Sequence, residues 1–238
     1  MTTYDLYLES GPRQKKAMVH VIDLLGCVAV GPTTAAAVAA TPEAIAAYRR
    51  FLTRHGDPVD PEATVTTRIV EHITEGGFLG NGSPYIVFQP DYEPLTDREI
   101  DIFLGRVHWL RDELATWAAT RSEAQLDATS SAGRTERAIL LHVLGATGSF
   151  LSATLGTAPG FSALHGAATR GELPLAAALR RSAEMIATRV RSASPAERSQ
   201  VRELPAGPRT LRKAIRRLME HDWEHLAELS RRPGGPPL

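Results

Sequence analysis

Leu211-Arg-Lys-Ala-Ile215-Arg-Arg-Leu218-Met-Glu-His221-Asp-Trp-Glu-His225-Leu-Ala-Glu-Leu229 is the stretch that decides how the chain is read. Its apolar positions, Leu211, Ala214, Ile215, Leu218 and Leu229, recur at helical spacing, and His221 and His225 continue the same stripe. Residues at i and i+4 stack on one helix face, so both imidazoles can reach one ion. Polar rings on a core-facing stripe need a partner, and a metal is one.

Working backward, three more helical stretches precede this one from residue 96 on. Thr96-Asp-Arg-Glu99 is a capping-box signature opening a helix to about Thr120. Thr135–Leu155 is a second helix, ended by Gly156, and Leu173–Ser192 a third, with Pro174 in its first turn. The fourth, Arg209–Arg231, begins beside Pro208. Four such helices predict an all-α four-helix bundle over residues 96–238, with 157–172 as a lid or crossover. On the second helix, Ala138, Leu141, His142, Gly145, Ser149 and Ser152 share a face, which predicts an inward His142 beside a cavity left by small residues. His142 facing His221 and His225 would supply three nitrogens and an open position, the pattern of a catalytic site.

Residues 1–95 read differently. Tyr4–Ser10 alternates with period 2 and stops at Gly11-Pro12, and Ala17–Asp23, Gly26–Val30 and Pro84–Gln89 are further strand candidates. Thr33–Ala40 and Pro42–His55 read as two helices, the second capped by Thr41, with Ile45, Tyr48 and Leu52 on one face. Short strands around a helix predict a small α+β domain, joined to the bundle through the linker chemistry of Gln89–Thr96.

Composition bounds the functions. The net charge of zero excludes a global field that would recruit nucleic acid or an anionic membrane. Residues 1–95 carry 7 Lys+Arg against 11 Asp+Glu and residues 96–238 carry 20 against 16, an excess of arginine read as solvated helix faces. Cys27, the single cysteine, excludes an intrachain disulfide and a Cys-based zinc site. No secretory signal is recognisable, and no apolar run reaches the roughly 18 residues of a spanning helix, so a soluble cytoplasmic protein is expected. There is no Gly-x-Ser-x-Gly elbow, and the glycines at 76, 77, 80 and 82 lack the Lys-Ser/Thr of a phosphate loop. His20, His55 and His72 have no partner at ligand spacing and read as surface or turn residues. Asp222 and Glu224 flank the ligands and are expected to face solvent or the surroundings of the site, while Glu220, one before His221, would orient a ligand.

Ala138-Ile-Leu-Leu-His142-Val-Leu-Gly-Ala146 and Leu218-Met-Glu-His221-Asp-Trp-Glu-His225-Leu226 resemble the two signature stretches of the DinB superfamily. The resemblance covers roughly residues 97–232. It implies His142, His221 and His225 as ligands of a divalent metal (zinc foremost, nickel or iron as alternatives) in an up-up-down-down bundle. It also implies activation of water or a low-molecular-weight thiol by a transferase, isomerase or hydrolase acting on a small molecule, and a homodimeric state common in such bundles. Gly133-Arg134-Thr135 and Thr147-Gly148-Ser149 depart from the usual residues around the first ligand, which implies a roomier, less acidic pocket. Ser149, Trp109 and His165 are its candidate lining.

Leu25-Gly-Cys-Val-Ala-Val-Gly-Pro-Thr33 followed by Pro42-Glu-Ala-Ile-Ala-Ala-Tyr48 resembles the HicB-type antitoxin fold over about residues 3–55. That resemblance implies a contact domain without chemistry of its own. With it comes the alternative of a non-catalytic interaction protein holding a structural metal. A role on nucleic acid would need a DNA-binding segment and a basic face that the sequence does not offer.

Overall fold

The computed structural model describes residues 2–11, 16–129 and 133–238. Pro12, half of the expected Gly11-Pro12 stop, lies outside them. The chain divides into two compact units. The first comprises the described residues to Pro94 together with Ser199–His221 and Leu238, and the second Leu95–Arg198 with Asp222–Pro237.

In the first unit, β1 (Thr2–Ser10), β2 (Ala17–Val21), β3 (Cys27–Gly31) and β4 (Val65–Ile73) form a sheet in the order β3-β2-β1-β4. The pairs β1–β2 and β2–β3 are antiparallel, and β1–β4 is parallel with a register shift that skips Val70. A parallel neighbour needs a crossover, and α1 (Thr34–Arg54) belongs to it, packed against β2 and β3. Alternation in β1 buries Tyr4, Leu6 and Leu8, whereas β2 is buried at all five positions, as a strand covered on both faces must be. Tyr48 from α1 donates to the Leu25 carbonyl at 2.7 Å. Gly26, at φ +108°, lets that ring in, since a Cβ there would stand 2.2 Å from the Tyr48 hydroxyl.

Two expectations fail here. The stretches Thr33–Ala40 and Pro42–His55 are one continuous helix, capped by Thr33 and not by Thr41, with Pro42 in its interior. The Thr41 hydroxyl donates to the Ala37 carbonyl at 3.0 Å, a back-bond available to a mid-helix threonine. The fourth strand is Val65–Ile73, not Pro84–Gln89. The apolar side chains of the latter segment serve the core without a ladder: Ile86 and Phe88 pack with Leu79 against Tyr7, Ile22 and Ile73. The glycine-rich turn before them is anchored, with Gly82 and Ser83 N–H groups donating to the Glu9 carboxylate at 2.6 and 3.0 Å.

In the second unit, α2 (Asp97–Ala119) opens with the expected Thr96–Glu99 box. It is followed by the short α3 (Glu123–Leu126) and by α4 (Glu136–Leu155), capped by Thr135 and closed at Gly156 with φ +77°. Next come α5 (Phe161–Thr169), α6 (Leu175–Arg191) and the short α7 (Pro195–Ser199). The expected lid or crossover thus contains a helix. Strands β5 (Arg202–Leu204) and β6 (Gly207–Arg209), which belong to the first unit, make a hairpin that takes up Pro208, and α8 (Leu211–Ser230) follows, counted with the first unit to His221 and with the second from Asp222. Helix α2 packs on α6, and α4 packs on α5 and α6. At the centre sits Arg111, fully buried and bonded to groups of α4, α6 and α8. The arginine excess is therefore not a set of solvated faces alone. Arg111 and Arg216 are fully buried, and Arg106, Arg209, Arg212 and Arg217 nearly so.

Among the described residues, one helix, α4, is long and apolar enough to cross a membrane by length and composition. No apolar run of spanning length was expected, and the apolar run of α4 is indeed interrupted by glycine, serine and threonine. They interrupt it without adding charge, which α4 carries only at Glu136 and Arg137. One stripe of α4, including Ile139, Leu140, Val143, Leu144 and Leu151, is buried within its unit.

Candidate metal centre

His142, His221 and His225 each bring one ring nitrogen within 4.8 Å of the others. His221 and His225 stand one turn apart on α8, 5% and 8% exposed. His142 on α4 is exposed, not inward. The buried stripe of α4 runs through Glu136, Ile139, Leu140, Val143, Leu144, Thr147, Leu151 and Thr154. That is one position around the helix from the face expected, so His142 sits at its edge with solvent beside it. The rings of His142 and His225 meet edge to face, 5.0 Å between centroids.

Glu228, one turn beyond His225, binds its Nδ1 at 2.8 Å. Arg134, at 2.7 Å, and Arg232 hold the same carboxylate. Burial pushes the Glu228 pKa up, but the bond to His225 and the two guanidiniums outweigh it and bring it below the usual range. A carboxylate on one ring nitrogen fixes the ring and presents the other nitrogen, as in carboxylate–histidine–metal triads. Three neutral nitrogen donors with that support suit zinc or a neighbouring transition ion. Ligands at about 2.0–2.1 Å from a tetrahedral ion stand roughly 3.4 Å apart, within the 4.8 Å that bounds the separations of these nitrogens. Glu228 was missed in the sequence, although its i+3 spacing from His225 was a readable signal.

Of the candidate pocket residues, Ser149 and His165 line one cavity of about 260 Å³, with Gly145, Gly148, Ser152, Ala158, Phe161 and Ser162. Trp109 is half-buried on α2 and not part of that lining. The two glycines let α5 approach. A Cβ on Gly148 would lie 2.9 Å from Phe161 Cβ, and one on Gly145 3.2 Å from His165 Nε2.

Of the residues flanking the α8 histidines, Glu224 is half-buried, whereas Asp222 and Glu220 do not face solvent. Asp222 is fully buried and paired with Arg111 at 2.5 Å. Glu220, expected to orient a ligand, instead takes part in a buried charge network of the first unit, as does His20, expected at the surface or in a turn but fully buried on β2. Glu220 binds His20 Nδ1 at 2.8 Å and Arg216 at 2.7 Å, and Arg216 also grips Asp91 with both oxygens at 2.8 Å. Glu9 stands 3.8 Å from the other His20 nitrogen, and Lys213 donates to the Ser83 carbonyl at 2.9 Å. Burial disfavours each charge, but the partners prevail for most. Glu220 raises the His20 pKa, Arg216 lowers those of Asp91 and Glu220, and His20 lowers that of Glu9. Lys213 is the exception, pushed down to about 7 by burial and by Arg216.

No family model matches the chain, and no curated protein or solved structure is detectably similar to it.

Proposed function

We propose that the chain is a metal-dependent enzyme of the DinB-like type, activating water or a low-molecular-weight thiol for attack on a small substrate. The observation that carries this reading is the convergence of His142, His221 and His225 with an exposed ligand on one side. A divalent ion on three neutral imidazoles keeps its full charge, acidifies a bound water or thiol and polarises a carbonyl. The chain's own groups have separable roles. Glu228 holds His225 in one tautomer, His142 leaves the site open to solvent, and the cavity bearing Ser149, Ser152, Ser162 and His165 begins one turn along α4 from His142. Its hydroxyls and imidazole can orient a polar substrate.

The DinB-like four-helix bundle is supported by the ligand-bearing second and last of the long helices, α4 and α8, and by the meeting of α2, α4, α6 and α8 groups at Arg111. The order β1-β2-β3-α1 supports the HicB-like reading of the first unit. Elemental analysis of the purified chain after equilibration with zinc tests the function. One equivalent is expected on the wild type and its loss in His225→Ala, whereas a metal-free wild type would overturn the reading.

A further inference from the structure

Arg111 occupies the middle of α2, fully buried, with its fork spread over three other helices. Its Nε and Nη2 donate to the two oxygens of Asp222 on α8 at 2.5 and 2.9 Å. Its Nη1 donates to the Ser182 hydroxyl on α6 at 3.0 Å. Its Nη2 also donates to the Thr147 hydroxyl on α4 at 2.8 Å and reaches the Val143 carbonyl at 3.5 Å. Thr147 in turn donates to Val143 at 3.0 Å, tightening that turn of α4. The two helices gripped beside α6 are those that bear the histidines. Val143 follows His142, and Asp222 follows His221.

A buried ion pair is a poor source of stability, since apolar side chains of similar volume fill such a place as well or better. What a guanidinium adds is direction, because its planar fork accepts partners only at set angles. Bonds to α4 and α8 from one rigid group fix the height of α4 and the rotation of α8 together. Those two settings determine how far His142 stands from His225.

We propose that Arg111 is the positioning residue of the metal centre, holding α4 and α8 in the register that brings the histidines together. This rests on the reading that the three histidines hold a metal. The test uses the full chain stripped by chelator and titrated with Co²⁺, whose d–d bands report the ligand set. Arg111→Met and Thr147→Val remove parts of the grip. Ile186→Ala, a buried cut in α6 one turn beyond Ser182, removes no bond of Arg111 and lowers stability alone. The wild type is expected to bind one Co²⁺. Folded Arg111→Met and Thr147→Val are expected to bind about 10- to 100-fold more weakly with altered bands, and Ile186→Ala as the wild type does. If Arg111→Met does not fold, Thr147→Val carries the test. Wild-type affinity and bands in the folded hub variants overturn the proposal, as does an equal loss in Ile186→Ala. Absence of Co²⁺ binding by the wild type overturns the metal reading itself, before any substitution is made.

Discussion

Replacing Lys213 with methionine should flatten a rise in stability with pH that is expected of the wild-type chain above neutrality. Lys213 is 2% exposed and its side-chain nitrogen donates to the Ser83 carbonyl. Burial, reinforced by Arg216, brings its pKa from the ordinary 10.5 down to about 7, against the opposing pull of Asp91, Glu220 and Glu9. Below that value folded and unfolded chains both hold the proton. From there up to 10.5 only the unfolded chain holds it, so the unfolded state binds more protons and stability climbs with pH. At about 1.4 kcal/mol per pH unit, the wild type should gain on the order of 2–3 kcal/mol over Lys213→Met between about pH 7 and about pH 9. His20 acts in the opposite sense. Its raised pKa gives stability that is full below its unfolded value and lost as pH rises through the folded one. That contribution is common to both proteins and cancels to first order in their difference. Urea melts of wild type and variant across this range make the measurement. A difference independent of pH would refute the titration of Lys213 in this window.

Two further outcomes test the surroundings. Arg216→Met leaves the Asp91 and Glu220 carboxylates buried without their shared cation; a loss of about 3–5 kcal/mol by chemical denaturation is expected, and a loss under about 1 kcal/mol would remove Arg216 from the centre of the network. Glu228→Gln weakens the hold on His225 Nδ1 and should lower zinc affinity about 10- to 100-fold in chelator competition; unchanged affinity would assign Glu228 to the surface alone.

Much of the helical half was legible because its signals are local. The Thr96–Glu99 box, Thr135 before α4 and Gly156 after it mark ends through neighbours one turn away. The spacing of His221 and His225 is equally local. The face of His142 was not, since Gly145, Ser149 and Ser152 are small enough to sit on either side of a stripe. Periodicity also counts arginine and aspartate as outward, and so it could not see Arg111 meet Asp222 across 111 positions. The same blindness hid His20, whose partner Glu220 lies 200 residues on. In the first half, Pro42 suggested a break that the continuous burial of Ala37, Thr41, Ile45 and Tyr48 along α1 overrides. The strand Val65–Ile73 has suitable β-branched residues but is half-buried to exposed throughout and less apolar than Tyr85–Phe88, so its pattern carries the weaker signal.

The parallel pairing of β1 with β4 bears on how the sheet is assembled. Ser10 meets Ala17 across a short hairpin, but Thr3 meets Thr66 only across a sequence separation of 63. Closure entropy grows as the logarithm of loop length, so β4 joins at a cost about 2 kcal/mol greater than the hairpin's, roughly a thirty-fold difference in how often the ends meet. On loop closure alone, the edge of the sheet is therefore expected to be completed by its rarest encounter, after the three hairpin-linked strands have met.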